Sequence, residues 1–221
     1  MSYFLLRRLA RLLTFIFIGH RNFQLRGVAN VPRTGSLLVV SNHVGTADPV
    51  LIGAWTPRPV WFMAKSELFT RWLTRTVVTA YHAFPVIRHS PDRKALRRAI
   101  GLLRQGQAVV LFPEGHRSDD GRLHRAEPGA GFLARRSQVP LVPLAISGTQ
   151  HVLGRHRLIP RRACVAMAFG EPFSIPERNR DGSAMDHQQT ADYLMTKIAE
   201  LLPLEAQGHY RPAGPTASEA V

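Results

Sequence analysis

The stretch SLLVVSNHVGTADP, residues 36–49, decides the fold of this 221-residue chain. Its first half is a continuous apolar run, which is typical of a strand buried on both faces of a sheet. Asp48 and Pro49 then indicate the start of a helix, with Asp48 as the predicted N-cap and Pro49 at the first helical position. A buried strand that passes through a short polar turn into a helix is a repeating unit of α/β proteins.

The rest of the chain continues this alternation of strands and helices. The clearest helical pattern lies in residues 91–106, where Asp92 is placed to begin the helix and Gly106 to end it. Further helices are predicted around 67–79 and over 186–202. Short apolar runs predict the other strands, namely FQLR, VWFMA, HAFPVI, AVVLFP, PLVPLAI and ACVAMAFG. We therefore predict an α/β fold with a central, largely parallel sheet flanked by helices.

The first 20 residues have a different character. Residues 3–19, YFLLRRLARLLTFIFIG, are strongly apolar but carry three arginines. On a helix the leucines share one broad face and the arginines cluster on another. No uninterrupted apolar run reaches about 18 residues, and no small-residue cleavage site follows, which disfavours a spanning helix and a signal peptide. We predict a membrane-surface amphipathic helix over residues 1–20; the alternative is a helix packed on the protein's own core.

The other end of the chain has the composition of a disordered tail. From about Pro203 onward the residues are polar and rich in Pro, Ala and Gly. We therefore expect the surface helix at 1–20, the main domain at 21–202 and a disordered tail at 203–221.

Charge limits the kinds of partner. The chain has 29 Lys and Arg against 15 Asp and Glu, a net charge of +14, which favours polyanions such as an anionic membrane surface or nucleic acid. Aromatic residues make up only 8%, no nucleic-acid motif appears, and arginine is spread along the chain. We predict an anionic membrane surface as a partner and no nucleic acid. A non-enzymatic basic protein that binds membranes or nucleic acid is the alternative from another class.

His43 and Asp48 are the first candidates for catalysis. His43 ends the predicted strand and Asp48 begins the next helix, so a tight turn can bring their side chains together. The carboxylate would then fix the imidazole tautomer, and the second ring nitrogen would be free to take a proton from a hydroxyl. The alternative is that Asp48 only caps its helix and His43 is an ordinary loop residue.

Two further clusters follow predicted strands. LFPEGHRSDDGRLHR, residues 111–125, carries Glu114, Gly115 and Arg117 directly after a strand, an arrangement that resembles a site where an arginine and backbone donors meet an anion. A solvated charged turn is the alternative. Arg88 lies just past another strand end, where a lone arginine is usually a surface residue.

Other chemistries find no support in the sequence. No Gly-x-Ser-x-Gly occurs, and the single cysteine, Cys164, lies in an apolar run where we expect it to be buried in a strand. A covalent acyl-enzyme is therefore disfavoured. The histidines lack the spacing of a zinc motif, so no metal site is predicted.

Taken together, these segments resemble the glycerolipid acyltransferases, the family that includes 1-acylglycerol-3-phosphate acyltransferase. NHVGTADP is similar to the family's His-x4-Asp motif. FMAKSELF, AFPVIR, LFPEGHRS and VPLVPLAISG resemble its later motifs in the same order, and the resemblance covers about residues 24–172. A single His-x4-Asp is a weak signal, whereas four further segments in order are a strong one.

The resemblance implies a role for each matching residue. His43 would be the general base and Asp48 its orienting partner. The pocket for the acceptor phosphate would contain four residues, Arg88, Glu114, Gly115 and Arg117. The donor would be acyl-CoA or acyl carrier protein, acting as a co-substrate, with no cofactor.

The resemblance therefore implies an enzyme of phospholipid synthesis that acylates the free hydroxyl of lysophosphatidate, bound peripherally or monotopically at the cytoplasmic face of a membrane. Three positions depart from the family pattern: His116 replaces a common threonine, His82 a frequent glycine and Glu127 a common lysine. The last change removes a positive charge near the acceptor, although Arg125 is placed to compensate. Another lysolipid or a lyso-aminolipid is therefore the alternative acceptor.

Overall fold

The computed structural model describes residues 2–87, 92–152, 161–179 and 182–212. Seven strands form one sheet in the order β1-β7-β6-β2-β5-β3-β4. The strands are β1 Phe23–Arg26, β2 Leu37–Ser41, β3 Val60–Lys65, β4 Ala83–Val86, β5 Ala108–Leu111, β6 Leu141–Ser147 and β7 Val165–Phe169. Every neighbouring pair is parallel except β6 and β7, which confirms the predicted α/β fold with a largely parallel sheet.

Helices cover both faces of this sheet. They are α1 Tyr3–Phe17, α2 Asp48–Trp55, α3 Trp72–Ala80, α4 Arg93–Arg104, α5 Pro128–Ser137, α6 Thr149–Val152 and α7 His187–Ala199. Strand β2 shows why its sequence is apolar without a break. Leu38 and Val40 belong to the core formed with α4, α5 and α7, whereas Leu37 and Val39 belong to the core formed with α2. A central parallel strand must satisfy two cores at once.

Helix α4 begins and ends where the sequence predicts. Its N-cap is Asp92, whose carboxylate accepts hydrogen bonds from the N–H groups of Lys94 and Ala95. Gly106, with φ 75°, adopts the left-handed conformation that closes such a helix at low cost.

Helix α1 packs against α2 partly through its arginines. The Nε atoms of Arg7 and Arg11 donate to the carbonyl oxygen of Ala54, over 3.0 Å and 2.8 Å. These cations lie at the C-terminal end of α2, where backbone carbonyls lack helical partners. Most of the large apolar side chains of α1 are instead exposed: Phe4, Leu5, Leu9, Leu12, Leu13, Phe15, Ile16 and Phe17. Among the described residues, no helix combines the length and apolarity needed to cross a membrane.

The start of α1 is fixed by a stack of rings. The ring of His82 lies between those of Tyr3 and Trp61, at centroid distances of 4.3 Å and 4.6 Å. His82 has φ 59°, which explains why glycine is frequent at this position of the family pattern. Burial lowers the pKa of the His82 imidazole from its ordinary value.

The C-terminal segment departs from the predicted disorder. Residues 203–212 include two 3₁₀ turns, Leu204–Ala206 and Gly208–Tyr210. The side chain of Gln207 donates to two carbonyl oxygens at the end of α7, and the hydroxyl of Tyr210 donates to Asp192 over 2.7 Å. The prediction is wrong for these residues, because contacts with α7 order them despite their polar composition. The rest of the predicted tail, 213–221, lies outside the described residues.

Cys164 is a second correction. The residue is exposed, and β7 begins one residue later at Val165. The apolar run was therefore a correct signal for the strand, but its first residue, Ala163, lies two residues before the start of β7.

Candidate active site

The predicted contact between His43 and Asp48 is present at the C-terminal end of β2. Nδ1 of His43 lies 2.7 Å from Oδ2 of Asp48, across the short loop that joins β2 to α2. Both residues are buried, with 6% of His43 and 0% of Asp48 exposed. The C-terminal edge of the sheet is the usual location of ligand sites in open α/β folds.

Besides His43, three other donors form hydrogen bonds with the carboxylate of Asp48. Oδ2 also accepts hydrogen bonds from the N–H groups of Val44 and Gly45, each over 2.8 Å, and Oδ1 accepts one from the hydroxyl of Thr149. The predicted N-cap role is wrong, because Ala47 is the N-cap and the carboxylate turns back to the preceding loop. Four donors fix the carboxylate in one orientation, and with it the ring of His43.

Position 45 in this loop requires glycine, because Thr149 leaves no space for a side chain. A Cβ atom at Gly45 would lie 2.6 Å from Oγ1 of Thr149. Any side chain there would push Thr149 away from the carboxylate of Asp48. The loop and the start of α6 therefore form one packed unit.

The imidazole of His43 is oriented on its other side as well. Its ring stacks on Phe112 at a centroid distance of 4.3 Å and an interplanar angle of 22°. Since Nδ1 faces Asp48, Nε2 is the nitrogen left for a substrate, and no hydrogen-bond partner for it occurs among the residues that the structure describes. The tautomer with hydrogen on Nδ1 leaves Nε2 as an acceptor.

Asn42 anchors the end of β2 to β6. Its amide group donates to the carbonyl oxygen of Ile146 and accepts from the N–H of the same residue, both over 2.8 Å. The two bonds extend the β2–β6 pairing past Ser41, the last residue of β2. His43 therefore follows a rigid strand end.

Glu114 lies behind the histidine and is fully buried. Its two carboxylate oxygens accept hydrogen bonds from the N–H groups of His43, over 3.3 Å, and His124, over 3.0 Å. Burial raises the pKa of Glu114 to about 7, although these two N–H groups oppose the rise. Glu114 thus joins the histidine loop to the loop after β5.

The other residues of that loop face the rim of the site. Gly115 has φ 70°, and a Cβ atom there would lie 3.2 Å from Cγ of Glu127. Nη1 of Arg117 donates to the hydroxyl of Thr46, in the loop that carries His43. The N–H of Ser118 donates to the carbonyl oxygen of His43 over 2.7 Å. The two loops are therefore bonded to each other through both backbone and side chains.

A cavity of about 570 Å³ opens beside His43, between β5 and the starts of α4 and α5. Most of its wall is apolar, with Met63, Val86, Leu96 and Phe112 among the lining residues. Three acidic residues, Asp92, Glu114 and Glu127, also line it, together with His116. Arg117 is not part of this wall, and the predicted site residue Arg88 lies outside the described residues.

Three residues of the site were not predicted from the sequence. Thr149 and Asn42 fix Asp48 and the end of β2, and Phe112 stacks on the histidine. Asn42 and Phe112 stand directly beside motif residues, so their positions offered a signal. Thr149 lies 101 residues from Asp48 in the chain, and only the pairing of β2 with β6 brings the two together.

The sequence of this chain is similar to those of known acyltransferases. The family model described as Acyltransferase matches residues 22–147. The 1-acyl-sn-glycerol-3-phosphate acyltransferase of Bacillus subtilis is 35% identical over 121 residues, which cover 54% of this chain and 59% of that protein. The enzyme of the same name from Streptococcus pneumoniae is 29% identical, with 80% of this chain and 64% of that protein covered. The chain thus spans less than two thirds of each of these two relatives.

Two further comparisons extend over more of both chains. A probable 1-acyl-sn-glycerol-3-phosphate acyltransferase of Mycoplasma pneumoniae is 32% identical, with 84% of this chain and 73% of that protein covered. The crystal structure of the 1-acyl-sn-glycerophosphate acyltransferase from Thermotoga maritima superposes with a TM-score of 0.71 at 23% identity and covers 90% of this chain and 77% of that one. The superposition shows a shared fold.

Proposed function

This chain belongs to the acyltransferase family, and from that premise we propose that it transfers a fatty acyl group from a thioester donor to the free hydroxyl of lysophosphatidate. The relatives named above are acyltransferases for 1-acyl-sn-glycerol-3-phosphate, which supports this acceptor. The observation that carries the proposal is the buried contact of 2.7 Å between His43 and Asp48 beside an apolar cavity.

In the proposed reaction, Nε2 of His43 takes the proton of the acceptor hydroxyl while the oxygen attacks the thioester carbonyl carbon. The tetrahedral intermediate collapses as the carbon–sulfur bond breaks. The imidazolium then returns the proton to the leaving thiolate, so that an ester and a thiol are formed. Asp48 stabilises the imidazolium between the two proton transfers, and its four donors keep the ring aligned.

Direct attack fits the nucleophiles available near the histidine. The hydroxyl of Ser41 donates to the carbonyl oxygen of Asn42, and that of Ser118 donates to Asp120. Cys164 is exposed just before β7, and its thiol lies 4.0 Å from the side-chain oxygen of Asn22. No acyl-enzyme step is therefore included in the proposal. The apolar cavity would hold the fatty chain, whose burial is favourable at about 0.8 kcal/mol per methylene.

The acceptor headgroup would be recognised at the rim. Arg117 is fixed beside the histidine loop by Thr46, and a guanidinium is suited to phosphate. Glu127 favours a second candidate acceptor, a lyso-aminolipid, because its exposed carboxylate lies next to Gly115 on the same rim. A panel of lysolipids decides between the two headgroups.

The decisive experiment incubates the purified protein with a labelled acyl donor, supplied as acyl-CoA or as acyl carrier protein, and with lysolipids that differ in headgroup. We expect labelled phosphatidate from lysophosphatidate, and none from the His43→Ala variant. A protein that binds lysolipid but acylates none of the panel would instead support the non-enzymatic alternative.

We also propose that α1 holds the protein on an anionic membrane surface as a peripheral or monotopic helix at the cytoplasmic face. Arg7 and Arg11 are bonded to α2 while most of its leucines and all its phenylalanines remain exposed, which is the surface an interfacial helix needs. Replacing the exposed Leu5, Leu9 and Leu12 with serine should release the protein from anionic liposomes in a flotation assay. Leu204→Ser is the control, since it removes another exposed apolar side chain outside α1. Unchanged flotation of the triple variant would show that α1 is not the anchor.

A further inference from the structure

A second groove lies over the edge strand β4, between α3 and α4. It encloses about 600 Å³ and is lined by three cations, Arg75 from α3 and Lys94 and Arg98 from α4. Phe84 and Pro85 of β4 form its floor, and none of the described residues that line it carries a carboxylate. Nothing in the proposed transfer reaction uses this groove.

The positive charge of the groove is not neutralised by its neighbours. None of the three cations takes part in an ion pair with another described residue. Helix α4 carries no acidic residue between Arg93 and Arg104. Asp92, the acidic residue just before it, is used as the helix cap and also accepts the N–H of Ile87. The groove is therefore a concave cationic surface, in which Asp92 offsets part of the charge of Lys94 and no described ion pair offsets that of Arg75 and Arg98.

The groove adjoins the catalytic cavity along the first turn of α4. Ala95 lines both spaces; Asp92 and Leu96 face the catalytic cavity, and Lys94 and Arg98 face the groove. The end of β4 divides in the same way, since Phe84 and Pro85 line the groove and Val86 and Ile87 line the cavity. The two spaces thus meet at the first turn of α4, where Ala95 contributes to both.

Building on the proposed acyl transfer, we propose that this groove binds the phosphate groups of acyl-CoA while its thioester lies beside His43. The donor has an apolar chain at one end and a nucleotide with several phosphates at the other, so it needs two adjoining spaces of opposite character. Arginine and lysine are the side chains that suit phosphate. The groove volume of about 600 Å³ is within the range of small-molecule sites. A stable complex with a carrier protein would instead bury an interface area of about 1,000 Å² or more.

The test measures the KM of donors that share an acyl thioester and differ in the group attached to it: palmitoyl-CoA, its dephospho form without the 3′-phosphate, palmitoyl-pantetheine and palmitoyl-acyl carrier protein. Arg75→Ala combined with Arg98→Ala should raise the KM for palmitoyl-CoA about tenfold, or roughly 1.4 kcal/mol, with a smaller rise for the dephospho form. Palmitoyl-pantetheine should show less than about a twofold change, because it has no phosphate for the groove to bind. Arg97→Ala combined with Arg104→Ala is the matched control on the same helix, since neither residue lines the groove.

Three results would overturn the inference. One is an equal KM rise for palmitoyl-pantetheine, and another is a rise confined to acyl carrier protein. The third is weaker binding to anionic vesicles with every donor KM unchanged, which would assign the cations to lipid headgroups. Calorimetric titration of CoA into the His43→Ala protein separates this inference from the proposed reaction. If CoA binding depends on Arg75 and Arg98 but the wild type transfers no acyl group, the proposed reaction is refuted and the groove is not. If the wild type transfers the acyl group but replacing Arg75 and Arg98 leaves CoA binding unchanged, the groove is refuted and the reaction is not.

Discussion

Glu114→Gln should remove a large part of the dependence of stability on pH. The Glu114 carboxyl is fully buried, and burial raises its pKa from the ordinary 4.5 to about 7. Between these values the folded protein holds a proton that the unfolded chain has released, so the stability gained is complete below about pH 4.5 and is lost as the pH rises through about 7. At about 1.4 kcal/mol per pH unit between the two values, the loss amounts to about 3 kcal/mol.

The amide of the variant has no such titration. It keeps one acceptor oxygen where the carboxylate offers two, so one of the N–H groups of His43 and His124 loses its partner. Below about pH 4.5 the wild-type carboxyl is protonated and also offers a single carbonyl acceptor, so we expect Glu114→Gln to match the wild type in stability there. Toward pH 8 the variant should become the more stable protein, because it buries no charge at this position.

Urea unfolding followed by circular dichroism, at steps from about pH 4.5 to about pH 8, measures this difference directly. Groups that do not interact with Glu114 contribute alike in both proteins, so their contributions cancel in the comparison. Glu127→Gln controls for the loss of one negative charge, since its carboxylate is exposed and accepts no hydrogen bond from any described residue. A difference in unfolding free energy between wild type and Glu114→Gln that stays constant over the whole range would refute the reasoning.

Further predictions concern the proposed reaction. His43→Ala should lower kcat by at least about 10²–10⁴-fold while the protein remains folded, and near-normal turnover would exclude His43 as the base. Thr149→Val removes a donor to the buried carboxylate of Asp48, so it should lower the free energy of unfolding by about 1.5–3 kcal/mol in a thermal melt and should also lower kcat. Thr149→Ser keeps the donor and should retain both the stability and the kcat of the wild type. Loss of stability in the serine variant as well would point to packing of the methyl group. Arg117→Ala should raise the KM for the acceptor and leave that for the donor unchanged, with exposed Arg122→Ala as the control; an unchanged acceptor KM would count against a phosphate role for Arg117.

Much of the site could be predicted because its members lie close together in the chain. His43 and Asp48 are five residues apart across one turn, so their side chains come into contact wherever this strand leads directly into this helix. The geometry of their contact was predictable, but the use of the carboxylate was not. A helix start read from Asp48 and Pro49 leaves open whether the side chain turns forward to its helix or back to the loop, and the structure shows that it turns back.

The alternation of strands and helices could be predicted from the sequence alone. A strand buried on both faces must be apolar at every position, and a helix end needs residues that supply partners for its backbone groups. Only the tertiary structure decided which distant residues complete the site. Thr149 reaches Asp48 and Glu114 reaches the loop of His43, because the order of strands in the sheet places β2 between β5 and β6. Strand order follows from the packing of helices on both faces of the sheet, and no local pattern of residues records it.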